Sequence, residues 1–163
     1  MPSAANIVVV ATANACHRLT LVRKQKMKIT IETTVHAPIE KVWEAWVTPD
    51  DIMRWNFASE DWSCPKATID LQEGNKFNYR MEAKDGSMGF DFEGTFTEIK
   101  EYSKIEYSLE DNRGVVVAFS KFESGVRVTE TFEAEDEYTA EQQRQGWLCI
   151  LNNFKRYVEK KLD

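Results

Sequence analysis

Histidine is almost missing from this chain: His17 and His36 are the whole supply in 163 residues. Proton transfer and acyl transfer near neutral pH usually lean on a histidine beside a nucleophile. Here His17 falls in a basic leader, and His36 sits at a strand-to-helix junction before Pro38, a position read as structural or solvated. Cysteine is scarce too. Cys16, Cys64 and Cys149 are an odd number without a C-x-x-C pair, which argues against a disulfide framework and a structural zinc site and fits the reduced thiols of a cytoplasmic protein. Cys149, between Leu148 and Ile150, reads as a buried inert thiol, and Cys64 as a loop thiol. Seven glycines and four prolines are too few for collagen-like or low-complexity classes. The apolar run at 7–15 is too short to span a bilayer as a helix, and its positive charges follow it, whereas a secretory signal places them before. With a net charge of −6, the chain lacks the clustered cations that nucleic-acid binding needs. No metal site, cofactor or catalytic residue is assigned.

What the chain does have is aromatic residues and a clear change of period. Residues 1–26 carry Arg18, Arg23, Lys24 and Lys26 and no acid, leaving a body of net charge −10. They read as a poorly ordered N-terminal extension to one domain, 27–163. From Met27 to Val35 apolar and polar residues alternate as in a half-buried strand. Ile39, Val42, Trp43, Trp46 and Val47 then follow a helical period after Pro38. Thr48-Pro49-Asp50-Asp51 reads as a capped restart, giving a second short helix to about residue 54. Turn signals at Glu73-Gly74-Asn75, Asp85-Gly86, Asn112-Arg113-Gly114 and Ser124-Gly125, with a fifth turn near 101–103, divide an antiparallel meander. Its predicted strands are 66–71, 75–82, 88–99, 104–110, 114–122 and 125–134. Thr139-Ala140-Glu141-Gln142 fits a capping box opening a helix over 139–162, with Trp147, Ile150, Leu151, Phe154 and Val158 as its apolar stripe. The simplest packing of these elements is α+β: a curved antiparallel sheet of six to seven strands wrapped around the long C-terminal helix.

Several blocks in this order are similar to a known family: V-H-A-P-I-E-K-V-W-E-A-W at 35–46, P-D-D-I-M-R-W at 49–55, I-D-L-Q-E-G-N-K-F at 69–77, F-E-G-T-F-T-E-I at 92–99 and Q-G-W-L-C-I-L-N-N-F at 145–154. Together they resemble the SRPBCC (START-like, Bet v 1-like) superfamily, in the branch named after the C-terminal domain of the activator of the ninety-kilodalton heat-shock-protein ATPase. The resemblance implies a helix-grip fold with a cavity between sheet and C-terminal helix that in many relatives holds a lipid, sterol, polyketide or other apolar molecule.

Candidate site residues follow from both readings. The lining expected for a small hydrophobic ligand is Trp46, Phe77, Tyr79, Phe90, Phe92, Phe96, Tyr107, Phe119, Trp147, Leu151 and Phe154, with Tyr79, Tyr107 and Gln143 as polar groups. Gly146 sits mid-helix, where glycine is unfavourable, and reads as allowing close approach of the sheet or of a ligand. Among Asp70, Glu82, Glu98 and Glu130, alternation puts Glu130 on the face of Val126, Val128 and Phe132. Two readings stand for it: a carboxyl inside the cavity with a raised pKa or a partner such as Arg80, or a strand-end bulge turned to solvent. The expected function is non-enzymatic ligand binding. The alternatives are a chaperone ATPase regulator or other protein-interaction module, suggested by the branch name and by the acidic stretch Glu130–Glu141, and a cyclase or hydrolase using a buried carboxylate.

Overall fold

Strand periodicity and turn chemistry produce the elements, and the order of their pairing produces the grip. The computed structural model describes residues 7–10, 20–23 and 26–162. A short hairpin of β1 (Ile7–Val10) and β2 (Thr20–Arg23) pairs antiparallel, and the rest of the expected extension before Lys26 lies outside the described residues. Next come β3 (Lys28–Val35), α1 (Ile39–Val47) and α2 (Pro49–Trp55). The meander follows as β4 (Trp62–Ile69), β5 (Lys76–Ala83), β6 (Gly89–Lys100), β7 (Lys104–Leu109), β8 (Gly114–Phe122) and β9 (Gly125–Glu133), and α3 (Ala140–Lys161) closes the chain. The second sheet has seven strands in the order β3-β9-β8-β7-β6-β5-β4, each pairing antiparallel. The expected helix-grip architecture is therefore the observed one, with two short helices after the first strand of this sheet.

Alternation sets the inner face. Ile105, Tyr107, Leu109, Val115, Val117, Phe119, Val126, Val128, Glu130 and Phe132 are all buried, as period-two strands with one face on a core require. β4 is where the expected boundary moved: it begins at Trp62, not at 66. Its register shifts between Ser63 and Lys66, so Cys64 and Pro65 sit in a bulge on an edge strand, where proline is tolerated and the alternation breaks. Cys64 is consequently a buried strand residue, not a loop thiol; burial pushes its pKa up. Gly94 in β6 is required by close approach. A Cβ there would lie 2.8 Å from the Ser108 carbonyl and 2.9 Å from the Phe77 ring, which covers the glycine from the paired strand β5.

α3 is held across the inner face by contacts along its length. The Thr139 hydroxyl accepts from the Gln142 amide, and the Gln142 side chain accepts from the Thr139 amide, so the capping box forms. Arg144 donates to the Thr30 carbonyl, Asn153 to the Trp55 carbonyl, and Glu159 accepts from the His36 amide. The Tyr157 hydroxyl and the Lys161 ammonium both donate to the buried Asp51 carboxylate, which pins α2 to α3. No helix among the described residues is long and apolar enough to cross a membrane.

Candidate functional site

Between the inner face of the sheet, α2 and α3 lies a cavity of about 250 Å³. A second hollow, about 170 Å³, lies over Thr97, Glu106, Val116 and Thr131, the outward positions of the same strands. The inner cavity is walled largely by rings. Phe77 stands at the centre of one wall, its ring centroid 4.8 Å from both Tyr79 and Tyr107, 5.3 Å from Phe96 and 5.9 Å from Phe92. Opposite, Trp147 of α3 stacks on Phe132 at 4.0 Å and meets Phe92 edge-on at 5.9 Å. Trp46 and Trp55, centroids 5.0 Å apart, close the side formed by α1 and α2. Phe90 is half exposed and marks the rim, packed against Trp62.

One buried carboxyl stands in this apolar wall. Glu130 is 6% exposed and lies in β9 opposite Val117 and Ile31, so the solvent-turned bulge does not occur. Burial alone pushes its pKa up to about 8. Arg80 is not its partner, because that side chain faces outward and pairs with Glu82 at 3.0 Å and Asp91 at 3.6 Å. The other three candidate acids also engage surface groups. Asp70 accepts from Asn75, Glu82 from Arg80, and Glu98 sits 2.6 Å from Lys104 and 2.9 Å from Lys100, whose hydrogen bonds bring its pKa down to about 2. Near Glu130, burial raises the pKa of Tyr79 and of Tyr107, and for Tyr107 the Glu130 charge raises it further. Arg113 also lines the cavity, but its guanidinium is held by Asp111 at 2.6 Å and Glu135 at 3.9 Å.

Of the residues expected from sequence, Trp46, Phe77, Tyr79, Phe90, Phe92, Phe96, Tyr107, Glu130, Gln143 and Trp147 share this cavity. Four do not line it. Phe119, Leu151 and Phe154 belong to the core: Phe119 meets Trp43 and Trp46 edge-on, and Leu151 and Phe154 are completely buried. Gly146 is the fourth. A Cβ there would meet nothing within 4 Å, so no close approach of the sheet calls for glycine at this point. Gly146→Ala should therefore raise stability by about 0.5–1 kcal/mol, read as a higher urea midpoint at unchanged slope; a lower midpoint would contradict the open space seen there.

Gln143 is placed at the wall, but its amide is committed elsewhere. The side-chain NH2 donates to the Glu135 and Tyr138 carbonyls and its oxygen accepts from the Glu135 amide, so it anchors the turn before α3. Cys149 is exposed rather than buried, because two residues beyond Trp147 it points away from the helix stripe. His36 is exposed, with Nδ1 3.3 Å from the Ser124 carbonyl. The sequence reading missed Trp55, Asn56, Ile69, Met81, Ile105, Arg113, Glu135 and Ile150 as lining. Met81, Ile105 and Ile150 already lay on recognised apolar faces and could have been added; Arg113 lies in a turn, where no period assigns a face.

Comparison with known proteins gives this arrangement its relatives. The family model described as Activator of Hsp90 ATPase homolog 1-like protein matches residues 36–159. No curated protein matches the chain. The solution structure of an AHSA1-like protein from Aeromonas hydrophila is 48% identical, with 83% of this chain and 94% of that chain covered and a TM-score of 0.79. The solution structure of Chr148 from Cytophaga hutchinsonii is 44% identical over the same shares, with a TM-score of 0.72. The crystal structure of CV1439 from Chromobacterium violaceum, 20% identical, covers 82% of this chain and 98% of its own at a TM-score of 0.74, a likeness of fold alone.

Proposed function

Because the chain belongs to the Activator of Hsp90 ATPase homolog 1-like family, and so to the START-like, Bet v 1-like superfamily, we propose that it binds a small, mainly apolar molecule between its sheet and C-terminal helix, without reacting with it. One observation carries this reading: nine aromatic side chains wall a cavity of about 250 Å³ that also holds a buried carboxyl. Pockets for small molecules are typically apolar with a few placed polar groups, and a filled core would leave no such volume.

The size narrows the occupant. A cavity of roughly 150 Å³ takes up benzene, so this one suits a single ring with a short chain better than a sterol or a two-chain lipid. Native mass spectrometry of the gently purified full-length chain tests the reading. We expect a stoichiometric added mass that disappears on denaturation, or one acquired after incubation with small arenes. A chain that stays bare under both conditions would overturn it.

A further inference from the structure

Resting on that reading of the cavity, we infer that its preferred occupant is an organic cation, an aryl-alkyl amine whose ammonium pairs with Glu130 while its ring lies among the aromatic walls. Glu130 is buried to 6% exposure on the cavity wall, with no hydrogen bond or ion pair from any described residue. Every fully enclosed side-chain nitrogen or oxygen among the described residues has a hydrogen-bond partner. The unpartnered carboxyl must then face open volume, and the volume it lines is the cavity. An acid placed there without a partner is costly to the fold, and a group arriving with the ligand can supply what the chain withholds.

The surroundings select the sign of that group. Tyr79 from β5, Tyr107 from β7, Arg113 from the turn before β8 and Glu135 beyond β9 are the titratable groups that share the wall with Glu130, while α3 contributes only Gln143, Trp147 and Ile150. Arg113, the cation among them, is already engaged by Asp111 and Glu135, so Glu130 is the polar group left to satisfy. At neutral pH the carboxyl itself holds a proton, because burial pushes its pKa up to about 8. An arriving ammonium can displace that proton and pair with the carboxylate, whereas an anionic ligand would bring its charge against the negative faces of the rings with no cation left to meet it. A neutral one could hydrogen-bond to the carboxyl but would gain nothing from the negative faces of the rings, whereas an ammonium gains both a charge-assisted hydrogen bond and cation–π attraction.

The test uses three probes of one shape, phenethylamine, phenethyl alcohol and hydrocinnamate, titrated into the full-length chain by calorimetry at about pH 8.5, above the raised pKa of the Glu130 carboxyl. We expect the amine to bind about tenfold tighter than the alcohol, and hydrocinnamate more weakly than either. In Glu130→Gln the amine's advantage should fall to twofold or less, with the alcohol bound as before, which also reports that the variant is folded. Equal or tighter binding of the alcohol or the acid, or an amine preference that survives in Glu130→Gln, would overturn the inference while leaving the cavity reading standing. If none of the three binds, this inference fails, and the cavity reading fails with it only if the chain also stays bare in native mass spectrometry.

Discussion

Glu130→Gln should make the protein more stable at neutral and alkaline pH and remove most of its pH dependence between pH 5 and 8. The native carboxyl titrates at about 8 against an ordinary 4.5, so across that interval the folded chain holds a proton that the unfolded chain has released. The contribution of this carboxyl to stability is then fully present below pH 4.5, declines as pH rises through the window, and is gone once pH passes about 8. With each pKa unit equivalent to ~1.4 kcal/mol, the total decline is on the order of 5 kcal/mol. Glutamine has nearly the same shape and no charge to strip of water, so its unfolding free energy should stay nearly level. Urea unfolding of both proteins at pH 5 and pH 8 measures this directly: the curves should nearly coincide at the lower pH and separate at the higher. A wild type as stable at pH 8 as at pH 5 would mean that the carboxyl reaches water or a partner after all.

Phe154→Ala has the second large expectation, a loss of about 3–5 kcal/mol. Phe154 is completely buried and meets Trp46 and Trp55 edge-on at 4.8 Å each, so its ring joins α3 to α1 and α2 at one point. Truncation removes its burial and leaves a void that the two tryptophans, held by their own helices, fill only in part. The Trp55 indole in particular is fixed by donating to the Ala45 carbonyl at 2.9 Å. For a domain of this size the melting temperature should fall by on the order of 10 °C. Phe92→Ala makes the useful contrast, since Phe92 is only half buried and already borders open volume. Its cost should be clearly smaller. Equal losses in the two variants would erase the distinction between core and cavity wall drawn at these positions.

The two substitutions sit on residues that the sequence placed in one group. Alternation puts Glu130 on the inner face with Val126, Val128 and Phe132, and helical period puts Trp147, Leu151 and Phe154 on one stripe of α3. Both statements hold in the structure. Neither period says how far an inward residue is from the facing element. Leu151 and Phe154 meet a filled core, whereas Trp147, one turn earlier, meets the cavity wall at Phe92. The misplacement of Cys149 has a different origin: its immediate neighbours are apolar, but in a helix the residue that shares a face is three or four positions away. For β4 the local signal was itself broken, by a bulge at Cys64 and Pro65 that sets the strand's first residues out of step with the rest.

By itself, then, the sequence determined the elements, their turns, which face of each strand turns inward and, through five blocks in fixed order, the family. These are properties of residues a few positions apart, where φ/ψ preference and burial period act locally. Whether inward-facing side chains meet, and leave a gap when they do, was decided only by the tertiary structure. That outcome depends on the spacing of a seven-stranded sheet from one helix, which is set jointly by α1, α2 and every strand between β3 and β4. Glu130 shows the division most clearly. Its inward direction follows from counting by two along β9, but that it is left without a partner depends on Arg80 turning outward and Arg113 being held by Asp111 and Glu135, contacts that no local pattern along β9 could report.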